Sequence, residues 1–387
     1  MIFFALLLAC EEGDHCLSAT VSKAGNDGVG IELDAEPGRI GARLVRPEDA
    51  LIAQPVVVHI FGGWFDQPYS ASADVVPEGA VVIRPALAGD GWGDGEDDRR
   101  GPLGRAAVAA ALRFAAGVDR DAAGCSLKDR APLADPEQVI LFGMSNGGNL
   151  ALATLADSEL EVPEPEGVVV WETPAGPQFV GHEFRGDDSL YEPGACTLDD
   201  ESGIVCALPA VGFGEGEDSA CFDVDGDGGC FEENAFGGTV NPATGLRVLS
   251  PVLLAAAEAA GVQSAEWASV SESEAFWAER DAARAADEVV TRFPDLPFLL
   301  LASTSDHAIP ELEDHPHVFG LGEALQRAGA AWTRLNPGRA VSGLAEEGEA
   351  NAPMELASAE GWLMEEEEES PLREPLSWAV RELLLLP

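Results

Sequence analysis

Val139-Ile140-Leu141-Phe142-Gly143-Met144-Ser145-Asn146-Gly147-Gly148-Asn149-Leu150-Ala151-Leu152 is the stretch that decides the fold. The apolar run at its start reads as a buried strand, and Asn149 to Ala156 reads as a helix. Between them, Gly143 to Gly147 spell G-x-S-x-G. A serine in that context sits on a sharp strand-to-helix turn, its hydroxyl lifted clear of neighbouring side chains and the positive end of the helix behind it. Any residue larger than glycine at Gly143 or Gly147 would crowd such a turn.

Strand and helix alternate on both sides of this turn, the order expected of a mostly parallel sheet flanked by helices. Gly28 to Leu33 and Arg39 to Val45 read as opening strands, Pro55 to Phe61 as a buried strand running into Gly62-Gly63, and Ala80 to Arg84 as the next. Leu103 to Ala116 reads as an alanine-rich helix, and Gln138 to Phe142 as the strand before Ser145. Gly167 to Trp171, Pro297 to Ala302 and Ala331 to Leu335 supply further strands, with Pro371 to Leu385 as the closing helix. Between Pro174 and Phe293 the rhythm breaks. Four cysteines, acidic glycine-rich runs and two helical patterns, Val248 to Ala260 and Ser273 to Thr291, fall there. So long a stretch is no loop; it reads as a cap inserted over residues 174–294, dividing a core of 28–173 and 295–387.

On these residues the chain resembles the α/β-hydrolase family, and within it the secreted esterases and the catalytic domains of prolyl-oligopeptidase-like serine peptidases. The resemblance covers roughly residues 28–173 and 295–386 and leaves the cap unmatched. It implies an α/β-hydrolase fold and Ser145 as the nucleophile of ester or peptide hydrolysis, with no cofactor required. Val56-Val57-Val58-His59-Ile60-Phe61-Gly62-Gly63-Trp64 stands where the family has a strand ending in H-G-G. Phe61 replaces the histidine, but the oxyanion hole there is made of backbone, so the resemblance assigns it to the N–H groups of Asn146 and of Gly63 or Trp64. Gly89-Asp90-Gly91-Trp92-Gly93-Asp94 is similar to the acidic, glycine-rich loop of these enzymes. The stretch from Phe298 to Pro310 is similar to their acid loop, which gives Asp306 the task of orienting the catalytic imidazole, with Glu172 in reserve. An Asp in that place also serves as a simple helix cap.

The chain departs from the family at the base. The family's histidine stands in the loop after the last strand, yet residues 336–352 contain none. The six histidines are His15, His59, His182, His307, His315 and His317, and only the last three follow Asp306. His307 reads as a loop residue beside the acid, while His315 or His317 is a candidate displaced base. A histidine from the cap, such as His182, and the absence of any base are the alternatives. Two functions therefore stay open: an extracytoplasmic serine hydrolase, acting on esters in preference to peptides since no stretch reads as a peptide-gating propeller, or a catalytically inactive fold kept as a binding or structural lipoprotein.

Asp223-Val224-Asp225-Gly226-Asp227-Gly228 resembles the first half of a calcium loop, in which Asp223, Asp225 and Asp227 would converge on one structural ion. A solvated acidic turn is the competing reading, since the twelfth position is Asn234. Met1 to Ala9 is uniformly apolar and reads as the end of a signal peptide, and Leu7-Leu8-Ala9-Cys10 resembles a bacterial lipobox that would lipidate Cys10 and leave residues 10–27 as a tether. The other six cysteines suit an oxidising compartment. Cys196–Cys206, Cys221–Cys230 and Cys16–Cys125 form the favoured set among fifteen connectivities, and C-x-x-C zinc spacing is missing. Finally, 22 basic against 69 acidic residues give a net charge of −47. Such a surface repels phosphate, which excludes nucleic acid and anionic headgroups as partners and leaves the lipid anchor as the link to a membrane.

Overall fold

The computed structural model describes Cys16 and residues 28–35, 38–47, 51–63, 77, 79–89, 92–176, 196–199, 203–206, 212–215, 220–223, 239–249, 251–301, 318–335, 339–342 and 373–386. In chain order the elements are β1 (Val29–Ala35), β2 (Gly38–Val45), β3 (Gln54–Ile60), β4 (Val81–Pro85), α1 (Pro102–Ala115), α2 (Leu127–Arg130), β5 (Ala134–Met144), α3 (Asn146–Ala156) and β6 (Gly167–Trp171). Among the described residues, the interval read as an insertion holds three short antiparallel pairs, β7–β8 (Cys196–Asp199, Gly203–Cys206), β9–β10 (Gly212–Glu215, Ala220–Asp223) and β11–β12 (Thr239–Val240, Arg247–Val248), then α4 (Pro251–Ala259), α5 (Val270–Ala278) and α6 (Ala282–Arg292). β13 (Pro297–Leu301), α7 (Val318–Ala328), β14 (Trp332–Leu335), β15 (Arg339–Ser342) and α8 (Arg373–Leu383) follow.

One sheet runs in the order β1-β2-β4-β3-β5-β6-β13-β14-β15. β1 and β2 are antiparallel, as are β2 and β4, whereas β3 pairs parallel with both β4 and β5. Val56, Val57 and Val58 of β3 are all fully buried, as the unbroken apolar run of a central parallel strand requires. α1 packs on the sheet, and its Ala107, Ala109, Ala110 and Ala111 are buried. The chain has the α/β-hydrolase fold expected from the turn at Ser145.

Chain contacts divide the molecule into two compact units. Residues 1–170, 295–299 and 361–387 make one, and residues 171–294 and 300–360 make the other. Within the first, a disulfide joins Cys16 to Cys125, with Cα atoms 5.8 Å apart. A buried ion pair braces both of its ends. Arg130 meets Asp121 at 2.6 Å and donates to the Cys16 carbonyl oxygen, while the Cys125 N–H donates to Asp121 Oδ1 at 2.8 Å.

Several boundaries differ from those read in the sequence. The single helical pattern at Ser273 to Thr291 is two helices. Asp281 interrupts it by accepting the Ala283 N–H at 2.9 Å, and α5 starts earlier because Ser269 and Glu272 form a capping box. α3 begins at Asn146 instead of Asn149, β5 begins at Ala134, and β15 was not anticipated. In the second unit the β7–β8 register sets Cys196 opposite Cys206, and Cys221 stands opposite Gly214. Asp223 closes β10, whereas Asp225, Asp227, Cys230 and Cys10 lie outside the described residues. Among the described residues no helix is long and apolar enough to cross a membrane.

Candidate active site

β5 ends on Met144 and α3 begins on Asn146, so one residue makes the whole turn. Ser145 takes φ 50° and ψ −130° to do it, a conformation that costs a residue with a side chain about 1–3 kcal/mol. The neighbouring structure enforces it: β5 is laddered to β3 up to Ile60 and Gly143, and the Gly148 N–H donates to the Ser145 carbonyl oxygen at 2.9 Å. Crowding explains the glycines on either side. A Cβ at position 143 would stand 2.4 Å from Gly148 Cα, and one at position 147 would stand 2.4 Å from the Ile60 carbonyl oxygen. Ser145 itself is 6% exposed.

The loop leaving β3 lies directly against the serine. A Cβ at Gly62 would fall 2.7 Å from Ser145 Cβ and 3.3 Å from its Oγ, so only glycine permits the approach. Gly63 follows at φ +75°. Asn146 ties the two segments together: its Nδ2 donates to the Gly63 carbonyl oxygen at 3.5 Å, and its Oδ1 accepts from Asn149 Nδ2 at 3.3 Å. The Asn146 N–H stands at the opening of α3, where backbone donors lack intrahelical partners and the helix end is positive. Ser145, Asn146, Gly62 and Gly63 thus lie in one cluster around the serine hydroxyl. Sequence reasoning placed Gly62 in the stretch resembling H-G-G but not against Ser145, and it did not single out the Asn146 side chain, because close approach across a sheet leaves no local signature.

Arg100 was also missed. Its Nη2 donates to the Gly62 carbonyl oxygen at 2.8 Å, and the residue is 7% exposed. Burial lowers the guanidinium to about 10 against the opposing pull of Asp97. Asp97 bonds instead to Arg99, Oδ2 to Nη1 at 3.0 Å. Arg100 Nη1 is buried without a hydrogen-bond partner among the described residues, a state that costs about 1–3 kcal/mol. The available signal was a pair of arginines following Glu96-Asp97-Asp98 just before the Gly101-Pro102 helix start.

His59, on β3, is 1% exposed, with its ring 4.5 Å from that of Phe61 and 4.6 Å from that of Phe142. Neither ring nitrogen has a hydrogen-bond partner among the described residues. Burial first, and the nearby Arg84 cation second, hold its pKa well below the usual imidazole range. In the second unit Glu172 is buried at φ 42°, and its N–H donates to the Leu301 carbonyl oxygen at 2.8 Å. Trp64, His182, Asp306, His307, His315 and His317 lie outside the described residues. No group of three or more metal-binding side chains occurs among the described residues.

No family model matches the chain, and no curated protein does. Solved structures do. Carboxyl esterase 2 of the fungus Tuber melanosporum is 14% identical, with 82% of this chain and 78% of that one covered at a TM-score of 0.43. Brefeldin A esterase, a bacterial homologue of human hormone-sensitive lipase, is 16% identical over 86% of this chain and 75% of that one, with a TM-score of 0.43. Pyrococcus horikoshii acylaminoacyl peptidase is 12% identical over 80% of this chain, at a TM-score of 0.41, and this chain spans 36% of its length.

Proposed function

We propose that the protein is an extracytoplasmic serine hydrolase that cleaves esters, and amide or peptide bonds less readily. One observation carries this reading: Ser145 is held at φ 50° with the glycine loop after β3 packed on its hydroxyl side. A turn this costly has a purpose when it presents a nucleophile beside backbone donors. Ser145 Oγ attacks the substrate carbonyl, and the N–H groups of Asn146 and of Gly63 or Trp64 receive the oxyanion. A histidine takes the serine proton and passes it to the leaving group, while Asp306 orients that histidine; water then releases the acyl group by the same steps. The Cys16–Cys125 disulfide supports an oxidising compartment, and the lipobox at Cys10 supports a lipid anchor on the cell envelope.

The test is labelling of the whole chain by a fluorophosphonate together with hydrolysis of a small activated ester. Ser145→Ala should abolish both, a loss of several powers of ten in rate. Among His182→Ala, His307→Ala, His315→Ala and His317→Ala, one variant should be nearly as impaired, because members of a triad act as a unit. A second reading, an inert fold retained for binding, is favoured by the histidine-free stretch 336–352. It takes over if the wild type neither labels nor turns over.

A further inference from the structure

Three backbone features meet at the Gly62–Gly63 peptide. Gly62 touches Ser145, Gly63 has φ +75°, and the carbonyl oxygen of Gly62 is held by Arg100 Nη2 at 2.8 Å. In a planar trans peptide the C=O and the N–H of one unit point in opposite directions. Whatever grips the Gly62 oxygen therefore aims the Gly63 N–H. A peptide between two glycines is also the one most free to rotate, so its orientation needs an external partner.

We propose that Arg100 is a positioning residue of the oxyanion hole, gripping the Gly62 oxygen so that the Gly63 N–H faces the carbonyl under attack by Ser145. The proposal rests on the reading of Ser145 as nucleophile. A guanidinium on the carbonyl end also polarises the peptide, which makes its N–H a stronger donor. The surrounding chain supports the arrangement at a cost. Arg99 and Arg100 are consecutive non-glycine residues in the left-handed region, at φ 54° and 63°. Asp98 sustains this turn by accepting the Gly101 N–H at 3.0 Å and the Leu103 N–H at 2.5 Å. Glycine at position 100 would relieve the backbone, yet an arginine is kept there with its side chain directed inward. Net charge supplies a further reason. A chain at −47 opposes the growth of an oxyanion, and a buried cation behind the hole offsets that field locally.

The experiment compares the full wild-type chain with Arg100→Met and Arg100→Lys in steady-state hydrolysis of p-nitrophenyl acetate and in inhibition by a trifluoromethyl ketone, whose adduct carries an oxyanion. Loss of an interaction made only in the transition state lowers kcat and leaves KM alone. Arg100→Met should lower kcat by about tenfold to a hundredfold, short of deleting a donor outright, and weaken the ketone by a similar factor. Fluorophosphonate should still label it to the wild-type stoichiometry, and KM should stay within about threefold. Arg100→Lys, which keeps a cationic donor, should fall in between, and it carries the test if Arg100→Met does not fold. A kcat within twofold of wild type in the folded variant, or a rise in KM alone, overturns the role of Arg100 and leaves Ser145 as nucleophile. A wild type that neither hydrolyses nor labels overturns both.

Discussion

The strain at Ser145 can be measured by comparing two variants that both lack the hydroxyl. Ser145→Ala keeps a Cβ in a backbone at φ 50° and ψ −130°, whereas Ser145→Gly removes it. A side-chain-bearing residue in so sparsely populated a region pays about 1–3 kcal/mol, and glycine pays roughly none of that. Against this, glycine loses about 0.5–1 kcal/mol more chain entropy on folding than alanine does. The difference leaves Ser145→Gly more stable than Ser145→Ala by about 1 kcal/mol. In a chain of 387 residues, an unfolding entropy near 2 cal/mol/K per residue turns that into only about 1 °C in Tm. Equilibrium urea unfolding is the better assay, with an expected midpoint shift of a few tenths molar. Both variants should be inactive, so the comparison is free of any effect of turnover. If Ser145→Ala unfolds at the same urea concentration as Ser145→Gly, or at a higher one, the turn stores no strain and the physical reason for reading it as a nucleophile's seat is wrong.

His59 predicts a pH dependence of stability. Its pKa is lowered in the folded state, so as pH falls below 6.5 the unfolded chain takes up a proton that the native chain refuses, and stability drops by up to about 1.4 kcal/mol per pH unit. Above 6.5 the contribution is complete and flat. His59→Leu should remove that slope and, by deleting two unpaired buried nitrogens, unfold at higher urea at pH 5; an unchanged difference between pH 5 and pH 7 would refute it. The disulfide predicts a large effect of reduction. Cys16 and Cys125 are 109 residues apart, and closing such a loop is worth about 4–5 kcal/mol on the chain-entropy model. Cys125→Ser should lower the urea midpoint accordingly, and a midpoint equal to wild type under non-reducing conditions would show that the bond does not form in solution.

Most of the sheet was readable because burial on both faces leaves an unbroken apolar run, as at Val56 to Val58 and Val139 to Phe142, and glycines punctuate the strand ends. Helix limits were less readable where capping decides them. Ser269 with Glu272, and Asp281 alone, set the starts of α5 and α6; the first pair lies ahead of the pattern read from Ser273, and the continuous pattern masked Asp281. Around Ser145 the turn itself is local and therefore legible, while its surroundings are not. Gly62 is legible as a glycine of the stretch resembling H-G-G, but its approach to Ser145 shows only once β3 and β5 are set side by side. Arg100 looks like surface charge in an acidic loop until a left-handed pair of residues turns it inward.

The missing base is narrowed by what His59 cannot do. A general base must hold a proton in one half of the cycle. Burial between two phenyl rings and the nearby Arg84 cation disfavour an imidazolium at His59, and neither of its nitrogens has a hydrogen-bond partner among the described residues. On the proposed mechanism the candidate bases are then His182, His307, His315 and His317, all outside the described residues. His315 and His317 follow Asp306 by 9 and 11 positions, separations that one loop can fold back on itself at little entropic cost. Triads are defined by geometry and roles, and the same constellation occurs with its members in different chain orders. A histidine-free stretch at 336–352 thus removes the familiar position of the base and leaves a displaced base or none, and whether Ser145 reacts with a fluorophosphonate is what separates the enzyme from the inert fold.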